Sequence, residues 1–282
     1  MPLTSTADLV DRARSDRHAL GAFNVITLEH AEAIATAAEQ TGLPALLQVS
    51  ENAVAYHGGR LAPLARACVE VCEASRAALG LHLDHVTTEE LLHQAPAAGF
   101  TSVMFDASRL DYLANVAATR SAARWAHDHG LWFEAELGEV GGKDGAHAPG
   151  VRTDPSEARS FVEATEADGL AVAVGSSHAM VHQDAVLDLE LIEELARAVP
   201  VPLVLHGSSG VPYGQLAQAV TAGITKVNVG TALNIAFTGA VRECLTDDAL
   251  VDPRRYLALA RTAMTESVAA VLTTLSPGTG AG

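Results

Sequence analysis

The chain has 282 residues, and its 34 acidic and 18 basic side chains give a formal net charge of −16 at pH 7. An acid excess of this size excludes the basic surface that nucleic-acid binding requires. Hydrophobic residues make up 49 % of the sequence and charged residues 18 %, which is typical of a well-packed soluble domain. Because no apolar run approaches the roughly 18 residues of a membrane span, we expect a cytoplasmic protein without signal peptide or membrane partner.

Short apolar runs rich in β-formers alternate along the chain with longer Ala-, Leu- and Glu-rich runs of helical period. Strands are predicted at residues 21–26, 45–50, 80–85, 102–107, 131–137, 169–175, 201–206 and 225–229. Helices are predicted near residues 28–41, 60–79, 88–98, 111–129, 155–166, 188–198, 213–222, 231–246 and 254–274. Eight βα units with strands apolar on both faces predict an α/β protein, a (β/α)8 TIM barrel with an extra C-terminal helix. An open, doubly wound sheet is the alternative.

No compositional break marks a linker, so we predict one catalytic barrel domain over residues 1–275 and a disordered tail over 276–282. Residues 138–154 are glycine-rich and lack a hydrophobic period, which predicts a mobile loop above the fifth strand. Cys68 and Cys72 lie four residues apart on a predicted helix, and we expect buried structural thiols there. His82 is expected to be buried, whereas histidines in predicted helices and loops, including His30, are expected at the surface.

Active sites of barrels are built at the carboxyl ends of the strands, and several of the predicted strands end in polar residues. Histidines follow the third, sixth and seventh strands at His85, His178 and His206. A closed barrel can bring these strand ends around one point. Three imidazoles with a fourth position open is the arrangement of a catalytic zinc ion, which polarises a carbonyl group.

Four carboxylates would surround that ion: Asp84, Asp106, Glu134 and Glu136. Burying four acids together without a cation is costly, so some of them should orient the ligands or bind another ion. The two glutamates lie on the same face of their strand because side chains alternate along a strand.

Two glycine-rich turns indicate phosphate binding, and one lysine offers a rival chemistry. HGSSG at 206–210 and NVGT at 228–231 place backbone N–H groups at the start of predicted helices, after strands seven and eight, where barrels usually bind phosphate. The rival is Lys226, a lysine in the eighth strand whose amine could form a Schiff base with a sugar carbonyl without a metal.

Seven motifs occur in order along the chain: LHLDH, VMFDAS, EAELGEVGG, VAVGSSH, LVLHGSSG, KVNVGT and VDPRRY. In this order and spacing they resemble the class II, zinc-dependent ketose-bisphosphate aldolases of the fructose- and tagatose-bisphosphate types. The likeness runs from GAFNV at 21–25 to DPR at 252–254. It implies a lyase that reversibly cleaves a ketose 1,6-bisphosphate to dihydroxyacetone phosphate and an aldehyde through a metal-stabilised enediolate. The chain length is closer to the tagatose branch.

The resemblance also implies roles, position by position. The zinc ligands would be His85, His178 and His206, with Asp106 and Glu136 orienting ligands or holding a second divalent or monovalent cation. The catalytic positions are Asp84 as acid/base, Asp144 as the base on the loop, and Asn24. The substrate-binding positions are Ser50, Gly207, Ser208, Ser209, Asn228, Gly230, Thr231 and Arg254. In the family, the arginine matched by Arg254 reaches the far phosphate from a neighbouring subunit, which implies a homodimer or homotetramer.

Four positions depart from the family's pattern. Lys143 and Asp144 replace a glutamate pair or Gln-Glu, Ala179 replaces a glycine, and Gly230 replaces an aspartate found in many fructose-bisphosphate enzymes. Two alternatives therefore stay open beside the first interpretation. One is a diverged class II aldolase for another ketose or ketose phosphate, and the other is a catalytically weak barrel that retains metal and phosphate binding.

Overall fold

The computed structural model describes residues 3–137, 151–176 and 182–277. They form a closed barrel of eight parallel strands in sequence order, in which the last strand pairs with the first. The strands are β1 (Leu20–Asn24), β2 (Ala45–Ser50), β3 (Leu79–Val86), β4 (Ser102–Phe105), β5 (Trp132–Glu136), β6 (Gly169–Val172), β7 (Leu203–Leu205) and β8 (Ile224–Val229). The helices are α1 (Thr6–Asp16), α2 (Leu28–Thr41), α3 (Glu51–Tyr56), α4 (Leu61–Ala74), α5 (Glu89–Leu92), α6 (Tyr112–Asp128), α7 (Pro155–Thr165), α8 (Leu189–Ala198), α9 (Tyr213–Ala222), α10 (Thr231–Cys244) and α11 (Pro253–Leu275).

The TIM barrel with an extra C-terminal helix is confirmed. The strands are buried on both faces because helices cover the outside and side chains fill the inside. The extra helix, α11, begins with Pro253 behind the N-cap Asp252 and packs along α2 and α10. None of the helices in the described ranges is long and apolar enough to cross a membrane.

The sequence analysis missed α1, which closes the amino-terminal end of the barrel. Its N-cap Ser5 accepts a hydrogen bond from the Asp8 N–H. Leu9, Val10 and Ala13 are buried, and they pack against the lower barrel residues Leu20, Ala22, Leu46, Trp132 and Val204. The charged residues between these apolar positions face outward, so the segment is an amphipathic helix.

Other differences from the predicted elements have local causes. The helix predicted near 88–98 is a short α5 followed by a 3₁₀ turn at Pro96–Ala98, because proline cannot donate the backbone hydrogen bond that would continue the α-helix. The expectation that His30 lies at the surface is wrong: its ring is 4 % exposed and stacks on Phe237 of α10. Cys68 and Cys72 are buried free thiols, as expected.

Candidate active site

A polar cavity of about 180 Å³ opens at the carboxyl ends of the strands. Most of the predicted site residues in the described ranges line it. They are Asn24, Ser50, Asp84, His85, Gly207, Ser208, Ser209, Asn228, Gly230 and Thr231. Three further polar side chains line the cavity and were not predicted: Gln48, Asn52 and Asn234.

A bulge at the end of β3 presents two consecutive residues, Asp84 and His85, to this cavity. In a regular strand, neighbouring side chains point to opposite faces. The pairing of β3 with β4 shifts between Leu83 and Val86, and His85 adopts a φ of 51°, in the left-handed region. Such a conformation is uncommon for a residue other than glycine, and it lets the imidazole join the carboxylate beside it.

Three residues bring potential metal ligands together: His85, Glu136 and His206. One ligand atom from each lies within 4.8 Å of the others, and the two imidazole rings are 5.0 Å apart at 85°. Asp106 Oδ2 lies 3.1 Å from Nδ1 of His85, while Ser108 donates its hydroxyl and backbone N–H to the other carboxylate oxygen. Asp106 is therefore placed to orient the His85 ring so that Nε2 is the nitrogen that would bind a metal ion.

The same residues carry strongly perturbed pKa values. Burial, together with the negative charge of Asp106, raises the pKa of Glu136 to about 8. Burial opposes the charge of His85, but the carboxylates Asp84, Asp106 and Glu136 outweigh it and raise its pKa to about 10. Burial likewise opposes ionisation of Asp84, yet the neighbouring His85 holds the pKa of this carboxyl well below its usual range.

These residues fit a divalent cation. Imidazole nitrogen and carboxylate oxygen are the usual donors for Zn²⁺, and the three donors meet where the carboxylates crowd together. Within the described part of the site, Asp84, Asp106, Glu134 and Glu136 face one lysine, Lys226, so a divalent ion would offset the excess of negative charge. His178, the other predicted ligand, and Asp144, the predicted base, lie outside the described residues.

Gln48 is a site residue that the sequence analysis missed. It is buried within β2 and donates both hydrogens of its amide, one to Asn24 Oδ1 at 2.7 Å and one to Asp84 Oδ2 at 3.0 Å. The available signal was a glutamine inside the otherwise apolar strand ALLQVS, because an amide is buried only when it is hydrogen-bonded. The side chains of Asn24, Gln48 and Asp84 thus form one connected row across three strands.

A second buried row lies below the cavity, on β5 and β8. Lys226 is fully buried, and its Nζ lies 2.8 Å from Glu134 Oε2 and 2.6 Å from Asn228 Oδ1. The other oxygen of Glu134 is 2.8 Å from Nε2 of His206. Because Lys226 does not line the cavity and is bound on two sides, its amine is poorly placed for the Schiff-base alternative.

The predicted phosphate-binding turns meet at one side of the cavity. Gly207 adopts a φ of 64°, a conformation that favours glycine, and starts the 3₁₀ turn at Ser208–Gly210. Ser208 Oγ donates to the carbonyl of Asn228 at 2.6 Å, which ties this turn to β8. Gly230, the N-cap residue of α10, has no side chain to cap the helix, and Ser209 Oγ accepts from the Ala232 N–H at 3.0 Å. Ser209 thus joins the two turns at the start of α10, where backbone N–H groups favour an anion.

Arg254, a predicted substrate-binding residue within the described ranges, lies away from the cavity. It stands at the start of α11, where its side chain is 89 % exposed and pairs with Asp252 at 2.7 Å. Within the described part of this chain it contacts none of the other predicted site residues, and a role at the substrate would have to come from another subunit.

The closed barrel and the buried group of imidazoles and carboxylates at its carboxyl end define the architecture of a metal-dependent TIM-barrel enzyme. The sequence profile of the family described as "Fructose-bisphosphate aldolase class-II" matches residues 4–277. The chain therefore belongs to the class II fructose-bisphosphate aldolase family and is an enzyme of the lyase class.

Individual relatives agree with this assignment. The chain is 40 % identical over 275 residues, 95 % of each sequence, to a Bacillus subtilis (strain 168) protein named "Probable fructose-bisphosphate aldolase". It is 38 % identical over 273 residues, again 95 % of each, to a fructose-bisphosphate aldolase of Staphylococcus aureus (strain Mu50 / ATCC 700699). The crystal structure of the YdjI aldolase from Escherichia coli K12 superposes with a TM-score of 0.86 at 28 % identity, covering 99 % of this chain and all of that one.

Proposed function

We propose that the protein is a zinc-dependent aldolase that reversibly cleaves a ketose 1,6-bisphosphate of the fructose or tagatose type to dihydroxyacetone phosphate and an aldehyde. The observation that carries this proposal is the convergence of His85, Glu136 and His206 beside Asp84 at the mouth of the barrel. We include His178 as a further zinc ligand and Asp106 as the residue that orients His85. A zinc ion bound there would polarise the carbonyl of the ketose and stabilise negative charge on its oxygens.

Asp84 is the proposed acid/base at the oxygen of the aldehyde half. It lines the cavity, is ionised because its pKa is held low, and receives hydrogen bonds from Gln48 and Asn228. An ionised carboxylate can take the proton of the substrate hydroxyl in cleavage and return it in condensation. Gln48 and Asn228 restrict the position of the carboxylate, which favours one geometry for proton transfer.

The phosphate of the dihydroxyacetone half would bind at the turns around Gly207 and Gly230. Ser209 and Thr231 line the same side of the cavity, and a bound phosphate would accept hydrogen bonds from backbone N–H groups at the start of α10. Asn24 and Ser50 would contact the middle of the sugar. Local amides of this kind allow an anionic substrate to bind to a chain with a net charge of −16.

Cleavage of fructose 1,6-bisphosphate and tagatose 1,6-bisphosphate, followed through triose-phosphate release, tests the proposal directly. We expect cleavage that is lost after chelator treatment and restored by zinc, and the ratio of the two kcat/KM values ranks the sugars. Cleavage that survives complete metal removal would overturn the zinc mechanism. Absence of cleavage of both sugars by the zinc-loaded protein would overturn the substrate assignment.

We also propose that the protein is a homodimer or homotetramer in which Arg254 reaches the site of a neighbouring subunit. The exposed position of Arg254 at the start of α11 supports this role. Light scattering at micromolar concentration tests it, and a monomeric mass would remove Arg254 from the site.

A further inference from the structure

The floor of the candidate site contains an ion pair that no proposed catalytic step uses. Lys226 on β8 and Glu134 on β5 are fully buried in the barrel interior, and their charged atoms lie 2.8 Å apart. A buried ion pair is weak evidence for stability, because hydrophobic residues of similar volume often stabilise a protein as well or better. Its contacts suggest another purpose, since each member also touches a residue of the site above it.

Lys226 determines which way the amide of Asn228 points. An ammonium group can only donate hydrogen bonds, so the atom of Asn228 that lies 2.6 Å from Nζ must be its oxygen. On the opposite side lies the carboxylate group of Asp84, whose oxygens accept hydrogen bonds. The amide nitrogen of Asn228 therefore lies on the other side, 3.3 Å from Asp84 Oδ1 and 3.1 Å from Nε2 of His206. Without the ammonium group, the carboxylate alone would hold this orientation.

Glu134 determines which nitrogen of His206 carries the proton. Its carboxylate Oε1 lies 2.8 Å from Nε2, and the amide nitrogen of Asn228 lies 3.1 Å from the same atom. Because the carboxylate can only accept, we place a hydrogen on Nε2 that points to Glu134, and the amide hydrogens of Asn228 then point elsewhere. The lone pair then lies on Nδ1, the nitrogen at which a metal ion would bind. A carboxylate that accepts from the outer nitrogen of a ligating histidine also fixes the plane of the ring.

We infer that the Lys226–Glu134 pair is a positioning element of the site: Lys226 holds the amide of Asn228 with its nitrogen toward Asp84, and Glu134 holds the His206 ring in the tautomer that directs Nδ1 to a metal ion. The inference rests on the proposed function for its kinetic consequences and on metal binding alone for the rest. Neither residue touches the substrate cavity, so both act through a neighbour.

Two double variants separate these roles while avoiding an unpaired buried charge. K226M/E134Q removes both charges but keeps an oxygen that can accept the His206 proton. K226M/E134L removes that acceptor as well. Circular dichroism and thermal unfolding select variants that keep the fold, and Zn²⁺ affinity is measured by competition with a chromophoric chelator. We expect K226M/E134L to bind Zn²⁺ about 10- to 100-fold more weakly than K226M/E134Q.

The kinetic test compares the effect of these substitutions on kcat/KM with and without the side chain of Asn228. In K226M/E134Q the amide loses one of the two groups that orient it and keeps only Asp84, and we expect kcat/KM for the cleaved bisphosphate to fall about 10- to 100-fold. In the N228A variant, the same pair of substitutions should lower kcat/KM almost no further, because there is no amide left to orient.

The outcomes are distinct. Equal Zn²⁺ affinities of the two double variants overturn the role of Glu134. If K226M/E134Q lowers kcat/KM by the same factor with and without N228A, the role of Lys226 is overturned and the effect is a general structural one. A wild-type protein that binds Zn²⁺ but cleaves neither bisphosphate would refute the proposed function, while the Zn²⁺ comparison would still decide the role of the pair.

Discussion

Replacing Gly230 with alanine should impair the site without disturbing the fold. A Cβ atom at this position would lie 2.8 Å from Nδ2 of Asn24 and 3.2 Å from its Cγ. The φ of Gly230 is −126°, outside the left-handed region, so the consequence of the methyl group falls on Asn24. That amide would have to retreat by about 0.6 Å or more to reach ordinary van der Waals distance.

The displacement would pass along a chain of short contacts. Asn24 Oδ1 accepts from Gln48 at 2.7 Å, and the same nitrogen of Gln48 donates to Asp84 at 3.0 Å. A shift of the first amide therefore loosens the group that holds Asp84. Because a misplacement of about 1 Å at a reacting group can cost on the order of a hundredfold, we expect kcat/KM to fall about 10- to 100-fold in G230A.

The assay is the release of triose phosphate from the better bisphosphate substrate, with Zn²⁺ content and melting temperature measured in parallel. Gly214→Ala is the matched control, since a Cβ at that position meets nothing within 4 Å. A second comparison uses Asn24→Ala: once the amide is gone, adding G230A should have little further effect. An unchanged kcat/KM in G230A, or equal losses with and without Asn24, would refute this reasoning.

Three further outcomes concern metal, pH and stability. Zn²⁺ at a hundred times its Kd should raise the free energy of unfolding by about 2.7 kcal/mol, and His85→Ala should abolish this gain in a denaturant titration; an equal gain in the variant would exclude His85 as a ligand. Burial lowers the pKa of His30 from 6.5 to about 4, so between these values the unfolded state binds more protons at this residue than the folded state does. The free energy of unfolding should therefore fall by about 3 kcal/mol between pH 7 and pH 4 because of His30. His30→Gln should lessen this loss in urea unfolding, whereas the exposed His182→Gln should not. Leu9→Ala on α1 should lower the free energy of unfolding by about 2–5 kcal/mol. Leu113→Ala, at a side chain 77 % exposed, should lower it by less than about 0.5 kcal/mol. Similar losses for both variants would contradict the role of α1 as the closure of the barrel.

The sequence determined the architecture because the signals for it are local. Alternating strand and helix patterns predict a parallel barrel, and the rule that sites lie at the carboxyl ends of strands then selects Asp84, His85 and His206. The period of two along β5 correctly placed Glu134 and Glu136 on one face. The segment α1 was missed because the charges between its apolar residues obscured a short amphipathic pattern, and only its packing against Leu46 and Trp132 reveals its purpose.

Which polar residues touch was decided only by the tertiary structure. Gln48 and Lys226 lie 178 positions apart in the printed sequence, yet Gln48 contacts Asp84 directly and Lys226 contacts Asn228, which also donates to Asp84. Closure of the barrel sets the stagger between strands, and this stagger decides that Lys226 meets Glu134 and Asn228 rather than the cavity. The unusual backbone of His85 likewise depends on a bulge against β4. Local patterns give the face on which a side chain lies, but a hydrogen bond between strands depends on register and closure, which the whole chain determines together.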